Sequence, residues 1–99
     1  MPIAVHWAMA QTITIDPAGE DIWRVTVTDG RGHTVHEVTV TPEDVAKYSP
    51  QGTPEQLLEA SFRFLLAREP KEAILRRFEL PVIERYFPEY SRAIRELVR

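Results

Sequence analysis

The hydrophobic positions in the first half of this chain alternate. Ile3, Val5, Trp7, Met9, Ile13 and Ile15 all fall on odd numbers, with Gln11 as the one interruption. A period of two places them on one face of an extended strand, or of two strands in line. The stretch DPAGED (16–21) follows with turn-forming residues. In IWRVTVT (22–28), Trp23, Val25 and Val27 share one face and Arg24, Thr26 and Thr28 the other. DGRG (29–32) is a hairpin signal, because Asp-Gly and a second glycine tolerate positive φ. HTVHEVTVT (33–41) returns with His36, Val38 and Val40 on one face. The pattern predicts a three-stranded antiparallel meander within residues 11–41, extended by 3–9 where that run joins it. One side is apolar and the other rich in threonine.

The second half changes period and is punctuated by proline. Thr41-Pro42-Glu43-Asp44 and Thr53-Pro54-Glu55-Gln56 each set a threonine N-cap before a proline at the first helical position. Acidic or amide side chains follow in the first turn, as a capping box requires. Pro70, Pro81 and Pro88 also precede apolar residues at helical spacing, so five of the eight prolines read as helix starts. The spacing predicts helices near 42–48, 54–68, 71–78, 81–87 and 89–98. The main helix, 54–68, is apolar or small around most of its circumference, with a thin polar stripe at 55, 56, 59 and 63. Such a helix needs cover on more than one side. The sheet can take one face, and the C-terminal helices or a second subunit must take the rest. The expected fold is α+β in a single domain over residues 1–99. A three-stranded antiparallel β-meander (1–41) precedes a helical part (42–99), whose main helix and short Pro-initiated helices pack on one face.

Composition narrows the function. Hydrophobic residues are 43% of the chain and charged residues 27%, which fits a folded globular domain and not a disordered one. The absence of cysteine excludes a disulfide scaffold, a Cys-ligated metal site and thiol catalysis. The apolar runs are far too short for a membrane span. MPIAVHWAMA lacks the basic n-region of a secretory signal, so a cytoplasmic protein is expected. The net charge of −3 divides into three basic and seven acidic residues over 1–54, and nine and eight over 55–99. Neither half is the basic field that drives nucleic-acid affinity.

Candidate chemistry is sparse. His33 and His36 are three apart on an expected strand, so they point to opposite faces and cannot chelate one ion without a bulge. His6 stands alone beside Trp7. Ser49, Ser61 and Ser91 lack the glycine-flanked elbow of a catalytic serine, and Ser61 reads as a small packing residue in the main helix. Four glycines spread over loops cannot build a phosphate-binding loop. Glu79, Glu84 and Glu89 recur at intervals of five, which walks around a helix and makes no pair. Asp16, Glu20 and Asp21 lack the spacing of a calcium loop. No catalytic, cofactor-binding or metal-ligating residue is expected, and the chain reads as non-enzymatic.

Two segments invite a binding role. KEAILRRF (71–78), a short turn, and PVIERYF (81–87) have the lengths of a helix-turn-helix, and Arg76, Arg77 and Arg85 would be its nucleic-acid contacts. The turn has no glycine, and Pro81 forces Leu80 to be extended. A DNA-associated or antitoxin-like regulator using the arginines of 76–99 is therefore the alternative and not the leading reading. Ile83, Tyr86 and Phe87 fall on one helical face, while Tyr90, Ile94, Leu97 and Val98 fall on another. Tyr86, Phe87, Tyr90 and Phe64 are then either core or a partner surface, since aromatics are enriched in interface hot spots. The leading expectation is a small binding or regulatory protein acting through protein contacts, as a homodimer or with a small protein partner. A third reading is a small-molecule pocket between sheet and helices near His36, Trp23 and Tyr86.

The segment EASFRFLLAREPKEAILRRFELPVIERYFPEY resembles one found in small uncharacterised bacterial proteins. There, a β-rich start precedes FLLxREP, then ILRxF, then LPVIxRYFPEY. The resemblance covers roughly residues 60–90. It implies a bacterial origin and carries no activity and no site residues.

Overall fold

The computed structural model describes residues 11–98. The expected strand over 3–9 lies outside the described residues. The architecture is α+β, with a four-stranded mixed sheet and helices packed on one of its faces.

The meander forms as the alternation predicts. Strands β1 (Thr12–Gly19), β2 (Ile22–Asp29) and β3 (Gly32–Thr39) pair antiparallel in sequence order. The register sets Ile15 opposite Val25 and Val25 opposite His36. All the core-facing side chains therefore share one pleat. Val25, Val27, Val38 and His36 are fully buried, whereas Thr12, Thr14, Arg24 and Thr28 on the other face are exposed.

The first turn is tighter than DPAGED suggests. β1 runs on through Pro17, and the chain reverses only at Glu20-Asp21, with Asp21 at φ 60°. Pro17 is tolerated because β1 is, among the described residues, an edge strand that needs no donor on its outer side, and the register shifts there. Aspartate is among the few non-glycine residues that accept the left-handed region.

Both capping boxes form. Thr41 and Asp44 exchange hydrogen bonds at the start of α1 (Pro42–Tyr48), at 3.1 and 2.9 Å. Thr53 and Gln56 do the same at the start of α2 (Pro54–Leu66), which ends two residues short of the expected end. Helix α2 is covered on both sides. Phe62 meets the sheet through His36 and Phe78, with ring centroids 5.4 and 6.3 Å away. Phe64 meets Phe87, just past helix α3 (Val82–Tyr86), and Tyr90, at the start of α4 (Tyr90–Leu97), at 5.7 and 5.4 Å. The chain itself thus supplies the second cover that this apolar helix required.

The segment 71–78 departs from expectation. In place of a helix it forms one 3-10 turn at Lys71–Ala73, then an extended Ile74 (ψ 136°) and a fourth strand, β4 (Arg77–Glu79). β4 lies parallel to β3, with Val38 opposite Phe78. The helical spacing of KEAILRRF loses to tertiary pairing. As a strand the segment sends Phe78 inward while Arg77 and Glu79 point to solvent. The ladder also satisfies neighbouring backbone groups: Glu37 N–H donates to the Arg76 carbonyl at 2.8 Å, and Leu80 N–H to that of Thr39 at 3.0 Å. The sheet is therefore mixed, and the first helix of the expected helix-turn-helix does not exist.

Candidate functional site

Three buried polar contacts decide where this fold is sealed and where it is open. The first joins the helices. Tyr90 is fully buried, and its hydroxyl lies 2.6 Å from that of Ser61. Ser61 spends its single proton on the Leu57 carbonyl at 2.7 Å, so Tyr90 must be the donor between them. Burial raises the Tyr90 pKa and keeps the phenol protonated. Tyr48, also buried, donates to Glu84 at 2.7 Å and packs against Tyr90 with centroids 5.1 Å apart. That hydrogen bond holds the Glu84 carboxyl below its usual range. Ser61, read as a packing residue, is both small and a required acceptor.

The second contact belongs to His36. Its Nδ1 is 2.8 Å from the Leu75 carbonyl, which can only accept, so Nδ1 carries the proton. Its Nε2 is then the acceptor, 2.8 Å from the Thr34 hydroxyl. Burial depresses the His36 pKa below 6.5, partly offset by the Leu75 hydrogen bond. A neutral imidazole therefore holds the connector 74–75 against β3. His33 points outward and is exposed, so the two histidines face apart as the strand period requires.

The third contact was not legible in the sequence. Lys71 has 2% of its side chain exposed and donates to both oxygens of Asp29, at 2.8 and 2.9 Å, and to Glu72 at 2.7 Å. Asp29 also accepts from the Arg31 backbone N–H at 2.8 Å. The ammonium is wrapped by its carboxylates and not by depth in the core. The Lys71 hydrogen bond lowers the Asp29 pKa, and Asp29 in turn raises that of Lys71. This ion pair pins the β2–β3 hairpin tip to the 3-10 turn. Its partners lie 42 residues apart, and no local spacing marks them.

Together the second and third contacts fix the segment 71–75 as one wall of a groove. The opposite wall is α3. The groove has a volume of about 180 Å³, with a floor of Leu65, Ile74, Phe78 and Ile83, all core residues. At its mouth Leu75 is 46% exposed and Tyr86 67%. Among the described residues Glu69 is the single charged side chain that lines it, and its carboxylate has no partner among them. A wider cleft of about 670 Å³ at the other end is lined by polar groups such as Lys47, Gln56 and Arg95. His36 and Trp23 line neither of these two.

The four aromatics expected as core or interface divide. Phe64 and Tyr90 are core, at 2% and 0% exposure. Phe87 is partly buried and lines the groove beside the exposed Tyr86. Ile83, Tyr86 and Phe87, expected on one helical face, all line the groove, although α3 ends at Tyr86. Phe87 leaves the helical region at φ −133° and ψ 88° and turns back toward Phe64.

The three arginines considered for nucleic acid sit on different elements. Arg76 precedes β4, Arg77 lies on the outer face of the sheet 3.6 Å from Glu37, and Arg85 is on α3. All three are exposed.

Among the described residues no group of three or more His, Asp or Glu side chains is placed to hold a metal ion. None of their helices is long and apolar enough to cross a membrane. The fold and groove together define an α+β domain with an open apolar groove between segment 71–75 and α3. Comparison of the chain with family models, curated proteins and solved structures finds no match.

Proposed function

We propose that this chain is a small cytoplasmic, non-enzymatic binding protein, and that the groove between segment 71–75 and α3 docks an apolar side chain of a protein partner. One observation carries the reading: core residues form the floor of a groove whose mouth leaves Leu75 and Tyr86 in water. An aromatic as exposed as Tyr86 at the edge of an apolar depression is what interface hot spots are made of. The volume of about 180 Å³ is below that of sites enclosing a drug-sized ligand and suits one inserted side chain. The lone Glu69 carboxylate on the lining gives the partner a second property. A basic residue next to the inserted apolar one would pair with it in a poorly solvated setting. The absence of cysteine from the sequence fits a reducing compartment.

The test is a titration with two short capped peptides, one with arginine beside phenylalanine and one with glutamate in its place. Methyl resonances of Ile74, Leu75 and Val82 should shift with the arginine peptide and respond more weakly to the other. Methyl spectra unmoved by millimolar arginine peptide would remove the groove as a docking site.

A further inference from the structure

We infer that the partner side chain comes from a second copy of this chain, docked across a two-fold axis through the same groove. The inference rests on the groove being a docking site, and it names the occupant. The groove asks for a protruding apolar side chain with a basic neighbour. Among the described residues the large hydrophobics left exposed are Val35, Leu75, Tyr86 and Leu97. Val35 lies between Thr34 and His36, and the cation that shares a surface depression with Leu97, Arg63, is already paired with Glu59, so neither has an unpaired basic neighbour. The other two do: Leu75 is followed by Arg76, and Tyr86 is preceded by Arg85. Both of these border the groove itself.

That placement matters for symmetry. A complement elsewhere on the surface would make a heterologous contact, leading to rings or open filaments. A complement on the groove's own rim makes an isologous contact, in which each copy gives and receives the same side chains. Tyr86 of one protomer then enters the depression of the other, and Arg85 approaches the partner's Glu69. Within a single chain the two charges stay apart. Arg85 is exposed and, like the Glu69 carboxylate, has no ion-pair partner among the described residues.

Sedimentation velocity across a concentration series of the full chain tests this. A reversible dimer is expected. Tyr86→Ala and Glu69→Arg should each raise its dissociation constant about tenfold or more, the latter by setting two arginines against each other. The double reversal Glu69→Arg/Arg85→Glu should recover affinity to within about threefold of the native chain. Circular dichroism checks that each variant folds, which the exposure of Tyr86 and Arg85 favours. A chain that stays monomeric at every concentration overturns the inference. So does a dimer indifferent to all three variants. A monomer whose Ile74 and Leu75 methyls still shift with the arginine peptide would overturn only the identity of the occupant. A monomer unmoved by that peptide would overturn the groove as well.

Discussion

Tyr86 and Tyr90 stand four residues apart and meet opposite fates. Tyr90 opens α4 with its ring under Phe64 and Tyr48 and its hydroxyl on Ser61, and is wholly buried. Tyr86 closes α3 with 67% of its surface in water. The difference is not hydrophobicity, since the side chains are identical. It lies in the supply of a buried acceptor. A phenol can be buried at little cost only where its O–H finds a partner. Helix α2 offers Ser61 on the side facing α4. The groove beside α3 is floored by Leu65, Ile74, Phe78 and Ile83, none of which has a side-chain acceptor, and the acceptor its described lining does offer is the half-buried Glu69 carboxylate. One side of α2 is therefore a finished core, while the groove beside α3 stays open to solvent.

The largest break in that comparison should come from the finished side. Phe64→Ala empties a site packed by Phe87, Tyr90 and the Arg68 guanidinium, which stacks 3.6 Å above the ring. A loss of about 3–5 kcal/mol is expected from denaturant unfolding, near the upper range for a buried aromatic. Ser61→Ala comes next. It leaves the Tyr90 hydroxyl without its acceptor in a dry site, at a cost of about 1–3 kcal/mol. Tyr90→Phe in the Ser61→Ala background should recover part of that loss, because the orphaned donor is then gone. A double variant no better than Ser61→Ala would show that the hydrogen bond is not what seals this side.

Much of this fold was legible, and the reasons are local. Thr41-Pro42 and Thr53-Pro54 announced α1 and α2 because a capping box is completed within four residues. The meander was legible because its period of two and its turns are short-range. The fourth strand was not. It spans three residues, too few for a period, and it exists only because β3 presents a free edge to Arg77–Glu79. The groove inherits that difficulty. Its walls are set by Lys71 reaching Asp29 and by His36 holding the Leu75 carbonyl, contacts 42 and 39 residues apart. Tyr86 and Phe87 were recognisable as candidate interface residues. Their separation from Tyr90 and Phe64 depended on where α3 ends, which no periodicity marks.

The next prediction sharpens the groove wall through pH. His36 is held neutral because burial lowers its pKa from 6.5. Above about 6.5 the folded and unfolded chains both carry it neutral, so its contribution is fully present. As pH falls below 6.5 the unfolded chain takes up a proton that the folded chain resists, and stability declines until the folded pKa is reached. Asp29 adds a separate loss further down. Its depressed pKa means that its stabilising pairing is complete above about 3.8 and disappears as pH drops through the lower, folded value. Urea midpoints should therefore fall in two steps on acidification. His36→Gln should flatten the upper step and leave the lower one. An upper step retained in His36→Gln would assign it to another group.

The smallest effect on stability should belong to a residue on which association is expected to depend. Tyr86→Ala removes a ring that is mostly in water and, among the described residues, makes no hydrogen bond. In dilute protein, where a dimer would dissociate, its unfolding free energy should stay within about 0.5 kcal/mol of the native chain. At high concentration the native chain should gain stability over the variant, because a dimer binds only the folded state and linkage adds that affinity to the unfolding free energy. The gap between the two proteins should therefore open with concentration. A constant gap of 2 kcal/mol or more (about the cost of a buried ring) would mean that Tyr86 is core after all. The contrast with Tyr90 would then collapse. A gap absent at every concentration would leave Tyr86 exposed with no partner from this chain.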